Sequence, residues 1–406
     1  MMIVKIAWKN IWRNKLRSLL VITSVVLGLW AGTFLLAFVF GLMDQRIEDA
    51  IGYEIAHLQF HNPEFLEDYD PKFSIEASDQ LINSLLQDEK VEAVSDRVLA
   101  YGMIAAPRVS GGGKLIGIHP SREQSVSKLS NLIVDGKYLN EGDKNKVIIG
   151  KKLADKLKVK IRSKVVFTFQ DHSNNIVAGA FRVKGIFKSH NSGLEEMNLY
   201  VHSDDLSKLM QTNDQVHEVA VLLKEPELLS SFVDMKRTKL PDLRIRGWDE
   251  IAPELALMVN SMDQYMIILL VIILLALSFG IINTMLMAVL ERTRELGVLM
   301  AIGMNKLKLF GMIFLETLFL VGLATPIGLL LAYGCIQYFG TSGIDLSGLY
   351  ADSYAALGFP TMIYPQLNES YYIQVLILVS ITALLAAIYP AYTALKLNPV
   401  KAIRKI

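Results

Sequence analysis

The chain is almost without cysteine. Its single cysteine, Cys335, lies inside an apolar run, so neither a disulfide framework nor a thiolate metal site can be built from it. Net charge is missing too. The 41 lysines and arginines against 40 aspartates and glutamates leave a balance of +1, and no basic surplus argues for nucleic acid. There is no G-x-x-x-x-G-K-[ST] loop. Gly111-Gly112-Gly113-Lys114 lacks both the spacing and the hydroxyl that should follow, which excludes Walker-type ATP hydrolysis by this chain. H-E-x-x-H is absent, and no Ser/His/Asp or Cys/His arrangement is discernible. Ser24, Ser278 and Ser380 lie in apolar runs with no His or Lys beside them, unlike the nucleophile of an intramembrane protease. His57 and His61 fall on one face of an expected strand, where they read as polar face residues before they read as metal ligands.

Apolar residues are what the chain has in plenty. They make up 52% of its 406 residues, with 20% charged. That balance is too apolar for a soluble domain and too charged for a bundle of spans alone, and it suggests a membrane protein with one sizeable soluble part. About 20 apolar residues cross a bilayer core, and four runs exceed that length: 19–43, 265–290, 309–338 and 371–395. The first run ends in Phe40-Gly41-Leu42-Met43-Asp44 without a small-residue cleavage site, so it reads as an uncleaved span and not a signal peptide. Only Glu316 places a charge inside a run.

Basic residues fix the expected orientation. Lys5, Lys9, Arg13, Lys15 and Arg17 precede the first run, and Arg292, Arg294, Lys306 and Lys308 lie in the 291–308 loop. Lys396, Lys401, Arg404 and Lys405 follow the last run, whereas the 339–370 loop has none but holds Asp345, Asp352 and Glu369. With four alternating spans, the positive-inside bias puts both termini and the 291–308 loop in the cytoplasm. The expected fold is therefore an α-helical membrane protein of four transmembrane helices with a large mixed α+β extracytoplasmic domain, 44–264, between the first two. A cytoplasmic amphipathic segment (1–18), an extracytoplasmic loop (339–370) and a cytoplasmic tail (396–406) complete it. Within 44–264, Tyr53 to His61 reads as a strand and Gly111-Gly112-Gly113 as a turn. The β-rich stretch about 112–200 reads as a subdomain inserted into a βα framework, giving two subdomains. From Trp248 the pattern runs helically into the second span without a clear breaker after Pro253. Pro326 with Gly328, and Tyr389-Pro390-Ala391, are expected to bend the last two spans.

One stretch stands apart. Glu291 to Gly303, ERTRELGVLMAIG, is charged and amphipathic yet sits between two spans, so it must lie in water or headgroups, where it can meet a soluble partner. The plainer reading is a solvated loop that sets topology. Glu316, about two turns from that side, reads either as an interfacial acid paired with Lys306, Lys308 or a neighbouring helix, or as an acid tying the span to the segment.

Taken together, four spans, the insert and these motifs resemble the permease subunit of the ABC transporter superfamily that includes MacB, FtsX and the lipoprotein-releasing (Lol-type) permeases. The motifs are Ala7-Trp8-Lys9-Asn10-Ile11-Trp12-Arg13-Asn14-Lys15-Leu16-Arg17-Ser18, Glu291 to Gly303, and Tyr389-Pro390-Ala391 with Leu397-Asn398-Pro399-Val400-Lys401-Ala402-Ile403-Arg404. The 339–370 loop and Glu54 to His61 look most like the Lol-type branch. The resemblance implies a non-catalytic subunit of the bacterial inner membrane, with no cofactor of its own and ATP and Mg held on two copies of a separate ABC ATPase subunit. Glu291, Arg292, Arg294, Glu295, Leu296, Gly297, Met300, Ala301 and Gly303 would form the coupling helix that docks there, with Glu316 as the intramembrane acid. A second permease chain, identical or related, would pair with the first two spans, and membrane lipid would surround both. Movement of the periplasmic domain would extract a lipoprotein or another amphiphile. The alternatives are a mechanotransmitting regulator of a cell-wall hydrolase and a tripartite efflux permease.

Overall fold

A computed structural model of the chain describes residues 2–13, 15–76, 78–211 and 215–396. The expected tail, with its Leu397 to Arg404 motif, lies outside the described residues apart from Lys396, as does Asn14 of the N-terminal motif. Two compact units emerge. One comprises Met1–Met43, Ser261–Asp345 and Met362–Ile406, and the other Asp44–Asn260 and Leu346–Thr361.

Four helices of the described chain are long and apolar enough to cross a membrane: Ser18–Ile55, Pro253–Glu291, Lys306–Ser342 and Glu369–Leu395. Most are longer than their apolar runs because polar residues cap them outside the run. Asn305 and Asn368 accept hydrogen bonds from the backbone N–H groups of Leu307 and Ser370, satisfying donors left open at a helix start. The second span rises about 58 Å at 1.5 Å per residue, well beyond a bilayer core, and its 39 residues run from Pro253 without a break. Pro326 and Pro390 lie inside helices that continue through them. Gly328 serves packing: a Cβ there would stand 3.0 Å from Leu29 Cβ and 3.2 Å from the Val26 carbonyl oxygen. The loop expected over 339–370 is largely structured. Ile344–Asp345 pairs with Met362–Ile363, and between them runs a helix, Ser347–Ala356. Residues 346–361 cluster with the mixed α/β unit.

That unit is built on ten strands: β1 Leu58–His61, β2 Val91–Ala105, β3 Ser110–Ile118, β4 Ile133–Gly136, β5 Lys146–Gly150, β6 Lys164–Gln170, β7 Ile176–Phe187, β8 Asn198–His202, β9 Glu218–Leu223 and β10 Arg244–Gly247. They form one sheet in the order β10-β1-β9-β2-β3-β8-β5-β7-β4, with β6 pairing β2 and β7. The boundary expected near 112 is crossed by the sheet, because the first half of β2 pairs with β9 and its second half with β6. Alternation along the strands splits the core into two faces. Val98, Ala100, Leu115, Val147, Ile149 and Val201 point into one cluster, and Leu99, Ile116, Ile148 and Tyr200 into another. Burial on both faces explains why these strands are apolar almost throughout. The first cluster is closed by helices Ser78–Leu86 and Leu229–Lys239 through Leu81, Ile82, Leu85, Phe232 and Val233.

Two expectations are corrected. The triple glycine is no turn but the start of β3, with Gly111, Gly112 and Gly113 opposite Ile104, Met103 and Gly102. The turn comes earlier, where the Ala106 N–H donates to the Val109 carbonyl. Gly113 is needed because a Cβ there would stand 2.9 Å from Leu199 Cδ1. Tyr53 to Ile55 is not strand but part of a helical turn, Ala50–Ile55, so β1 begins only at Leu58.

Candidate functional site

The charged stretch folds as a helix, Thr293–Ala301, between the second and third spans. Helical periodicity divides its residues. Leu296 and Gly297 are buried, whereas Glu291, Arg294, Glu295, Val298, Ala301, Ile302 and Gly303 are exposed, with Arg292 and Met300 in between. Of the residues expected to dock, Leu296 and Gly297 face inward. The open face combines Arg294 and Ala301 with the apolar Val298 and Ile302, the latter 79% exposed.

A glycine cap ends the helix. The Gly303 N–H donates to the Met300 carbonyl and the Met304 N–H to the Leu299 carbonyl, the paired bonds of a Schellman motif. Gly303 has φ +100° and open space where a Cβ would stand, so backbone conformation and not close packing selects glycine here. Alanine at Gly303 is expected to cost about 1 kcal/mol through the left-handed penalty, with less effect for asparagine. Thermal unfolding of the two variants checks this, and equal losses would mean the cap does not set the residue.

Four ionised groups bind the segment to its neighbours. Arg292 Nη1 donates to Glu316 Oε1 at 2.9 Å and Oε2 at 3.1 Å, clamping the intramembrane carboxylate of the third span. Arg292 Nε donates to Glu295 Oε2 at 3.1 Å, and Glu295 also pairs with Arg13 of the N-terminal helix Met2–Arg13. Burial of Glu295 opposes its ionisation, but hydrogen bonds from Arg292 and Arg13 outweigh this and lower its pKa. Glu316 pairs with Arg292, and this bond ties the third span to the charged segment. The N-terminal helix packs on the third span through Trp8, whose ring meets Phe319 edge-on at 5.5 Å, and through Asn10, which reaches Met312 Sδ at 3.9 Å. Arg13 was visible in the sequence as a topology signal and within the N-terminal motif, but no spacing rule links it to Glu295.

A cleft of about 330 Å³ opens between the first and second spans, lined among others by Val25, Gly28, Gly32, Leu35, Ile273 and Leu277. Ser24 is its one hydroxyl-bearing wall residue. A Cβ on Gly32 would fall 2.6 Å from Ile273 Cγ2, so the glycines set how closely these helices approach.

The mixed α/β unit holds a second cavity of about 280 Å³ with charge in its wall: Arg97, Lys114, Arg246, Glu54 and Glu218. Arg97 is buried and saturated. It donates to Glu218 Oε1 at 2.6 Å and to Glu123 at 2.7 and 3.0 Å, while Ser95 donates to Glu123 at 2.7 Å. Burial would raise the Glu218 pKa, but Arg97 and then Lys114 pull it down to about 2. Desolvation lowers the Lys114 pKa. His57 and His61 do not form a joint site. His57 Nδ1 accepts from the Leu223 N–H, and His61 is held between the His217 carbonyl and Gln59.

Comparison with known proteins gives two family matches: the MacB-like periplasmic core domain over residues 18–235 and the FtsX-like permease C-terminal domain over residues 267–399. An uncharacterized ABC transporter permease of Methanocaldococcus jannaschii is 23% identical, over 99% of this chain and 97% of that protein. The lipoprotein-releasing system transmembrane protein LolC of Buchnera aphidicola is 24% identical over 55% of this chain and 57% of its own length. The periplasmic region of MacB from Actinobacillus actinomycetemcomitans superposes with a TM-score of 0.37 at 14% identity, covering 52% of this chain and 98% of that one.

Proposed function

Because the chain belongs to the MacB-like periplasmic core domain family and is an ABC transporter permease of the MacB, FtsX and Lol type, we propose that its 291–303 segment docks on a separate ATPase subunit. Two ATPase copies would engage two permease chains, with both termini and the segment cytoplasmic and the mixed α/β unit outside the inner membrane. The observation that carries the reading is the ion-pair chain Arg13–Glu295–Arg292–Glu316. It joins an exposed amphipathic helix to the N-terminal helix and to the third span, so a push on the segment is delivered to membrane helices. Val298, Ile302 and Arg294 supply an apolar and charged contact of the kind that carries binding energy at interfaces. The chain itself carries no nucleotide-binding loop, so ATP and Mg reside on the partner.

The cargo is an amphiphile taken from the membrane, such as a lipid-anchored protein. The apolar cleft between the first and second spans supports this, since its wall suits acyl chains and offers one hydroxyl. The most apolar window of the second span is only 17% buried within the chain, against 44% for the first. Lipid, cargo and a second permease chain would share that face.

The test is purification of the full-length chain from its native membrane, followed by identification of what remains bound. An ABC ATPase is expected, and replacing the exposed Ile302 with aspartate is expected to lower its recovery at least tenfold, as for a central interface residue. Unchanged recovery with I302D removes the docking role. Absence of any ATPase overturns the whole reading.

A further inference from the structure

We propose that the mixed α/β unit carries a site for one divalent transition-metal ion of the zinc class, formed by His119, Glu141 and His202. Sheet topology creates it. Strands β3 and β8 run parallel in a register that sets Ile118 opposite His202. His119 therefore leaves its strand beside His202, and the two rings meet edge-on with centroids 5.8 Å apart. Glu141 comes from the turn before β5 and is anchored to the same place, because its Oε1 accepts from the Ser121 N–H at 2.9 Å. One ligand-type atom from each of the three residues lies within 4.8 Å of the others.

An independent observation points to a ligand. His202 is 6% exposed, and its Nε2 has no hydrogen-bond partner among the described residues. The nearest acceptor, Glu141 Oε2, stands 3.5 Å away. A buried ring nitrogen left without a partner carries a desolvation cost that a metal ion would remove. Both rings also have a carboxylate beside them. Asp96 Oδ2 is 3.3 Å from His119 Nε2, and Asp204 Oδ1 is 3.8 Å from His202 Nδ1. Carboxylates of this kind orient metal-bound imidazoles and raise their basicity.

Two imidazoles and one carboxylate select zinc-class ions over magnesium or calcium, which prefer oxygen. Around a tetrahedral zinc, donor atoms stand about 3.3 Å apart. Glu141 Oε2 and His202 Nε2 already stand 3.5 Å apart, and the Glu141 side chain is 56% exposed, with room to adjust. His202 changes tautomer. Binding through Nε2 requires the proton on Nδ1, so the bond that Nδ1 now accepts from the Asp204 N–H is given up and the Asp204 carboxylate, 3.8 Å away, must close in to accept the new N–H. Three protein ligands leave a fourth position for water, and the ion ties the ends of β3 and β8 to the 137–145 turn. This site is independent of the ATPase reading.

The experiment is equilibrium dialysis of Zn²⁺ into full-length, chelator-stripped protein purified without a histidine tag, with metal quantified per chain. Wild type and the remote variant His190→Gln are expected to bind one ion. Glu141→Gln and His119→Gln are expected to bind at least tenfold more weakly while keeping wild-type circular dichroism. Failure of the wild type to bind one ion, or wild-type affinity in both variants, overturns the proposal.

Discussion

Alanine at Arg292 destabilises the helical unit by about 3–5 kcal/mol, the cost of leaving one partner of a buried ion pair without the other. Both side chains are enclosed, 11% exposed for Arg292 and 7% for Glu316, so water cannot replace the lost cation. Lysine at this position keeps the charge but cannot reach Glu316 and Glu295 through two separate nitrogens as Arg292 does, and recovers part of the loss. A double replacement, Arg292→Met with Glu316→Leu, removes both charges and is expected to be nearly as stable as wild type. That double variant separates two roles. If the pair only supports folding, ATPase-linked activity survives in it. If the pair transmits force, the variant is stable and uncoupled. Thermal unfolding in lipid nanodiscs orders the four proteins, and an R292A variant as stable as wild type would show that the pair does not hold the segment.

Replacing Arg97 with methionine has an effect of the same size on the mixed α/β unit. Glu123 and Glu218 are 1% and 3% exposed, and Arg97 is the cation bonded to both. Losing it again costs about 3–5 kcal/mol near neutral pH. The pH dependence carries a signature. In the wild type the Glu218 pKa lies near 2, below its ordinary 4.5. The stability this depression provides is complete above pH 4.5 and disappears as pH falls towards 2. Without Arg97, the largest of the groups opposing burial is gone and Lys114 is the main one left, so the same pKa rises, and acid protonates the carboxylate and relieves the variant. The gap between the two proteins is therefore widest at pH 7 and narrows towards pH 4.5. Hydrogen exchange of β2 and β9 amides in the full-length chain reads this directly. A gap that does not change with pH would mean that Glu218 is not held ionised by Arg97.

How much of this was legible in the sequence depended on distance along the chain. The spans could be read because each is a local run, and the helices continue through Pro326 and Pro390. The 291–303 segment could be found from its charge, and the inward turn of Leu296 and Gly297 follows from helical period once the helix start is known. Arg292, at the turn before the Thr293–Ala301 helix, and Glu316, on the third span, lie 24 residues apart, so their pairing needed the helices packed. The triple glycine was misread because glycine signals a turn locally, whereas here the three residues pair as strand and only Gly113 is closely approached, by Leu199. His119, Glu141 and His202 share no spacing rule at all. Strand register brings them together, and register is fixed by two buried faces that no short window displays.

The double pairing of β2 sets how the unit tolerates change in length. Side chains alternate with period two, so one residue added or deleted within Val91–Ala105 would exchange the two cores along the rest of the strand. It would break pairing with β9 or with β6 in the same event. The turn between β6 and β7 faces no such register constraint. Insertions and deletions among relatives should therefore collect in the turns, while β2 keeps its length even where nearly every residue in it has been exchanged.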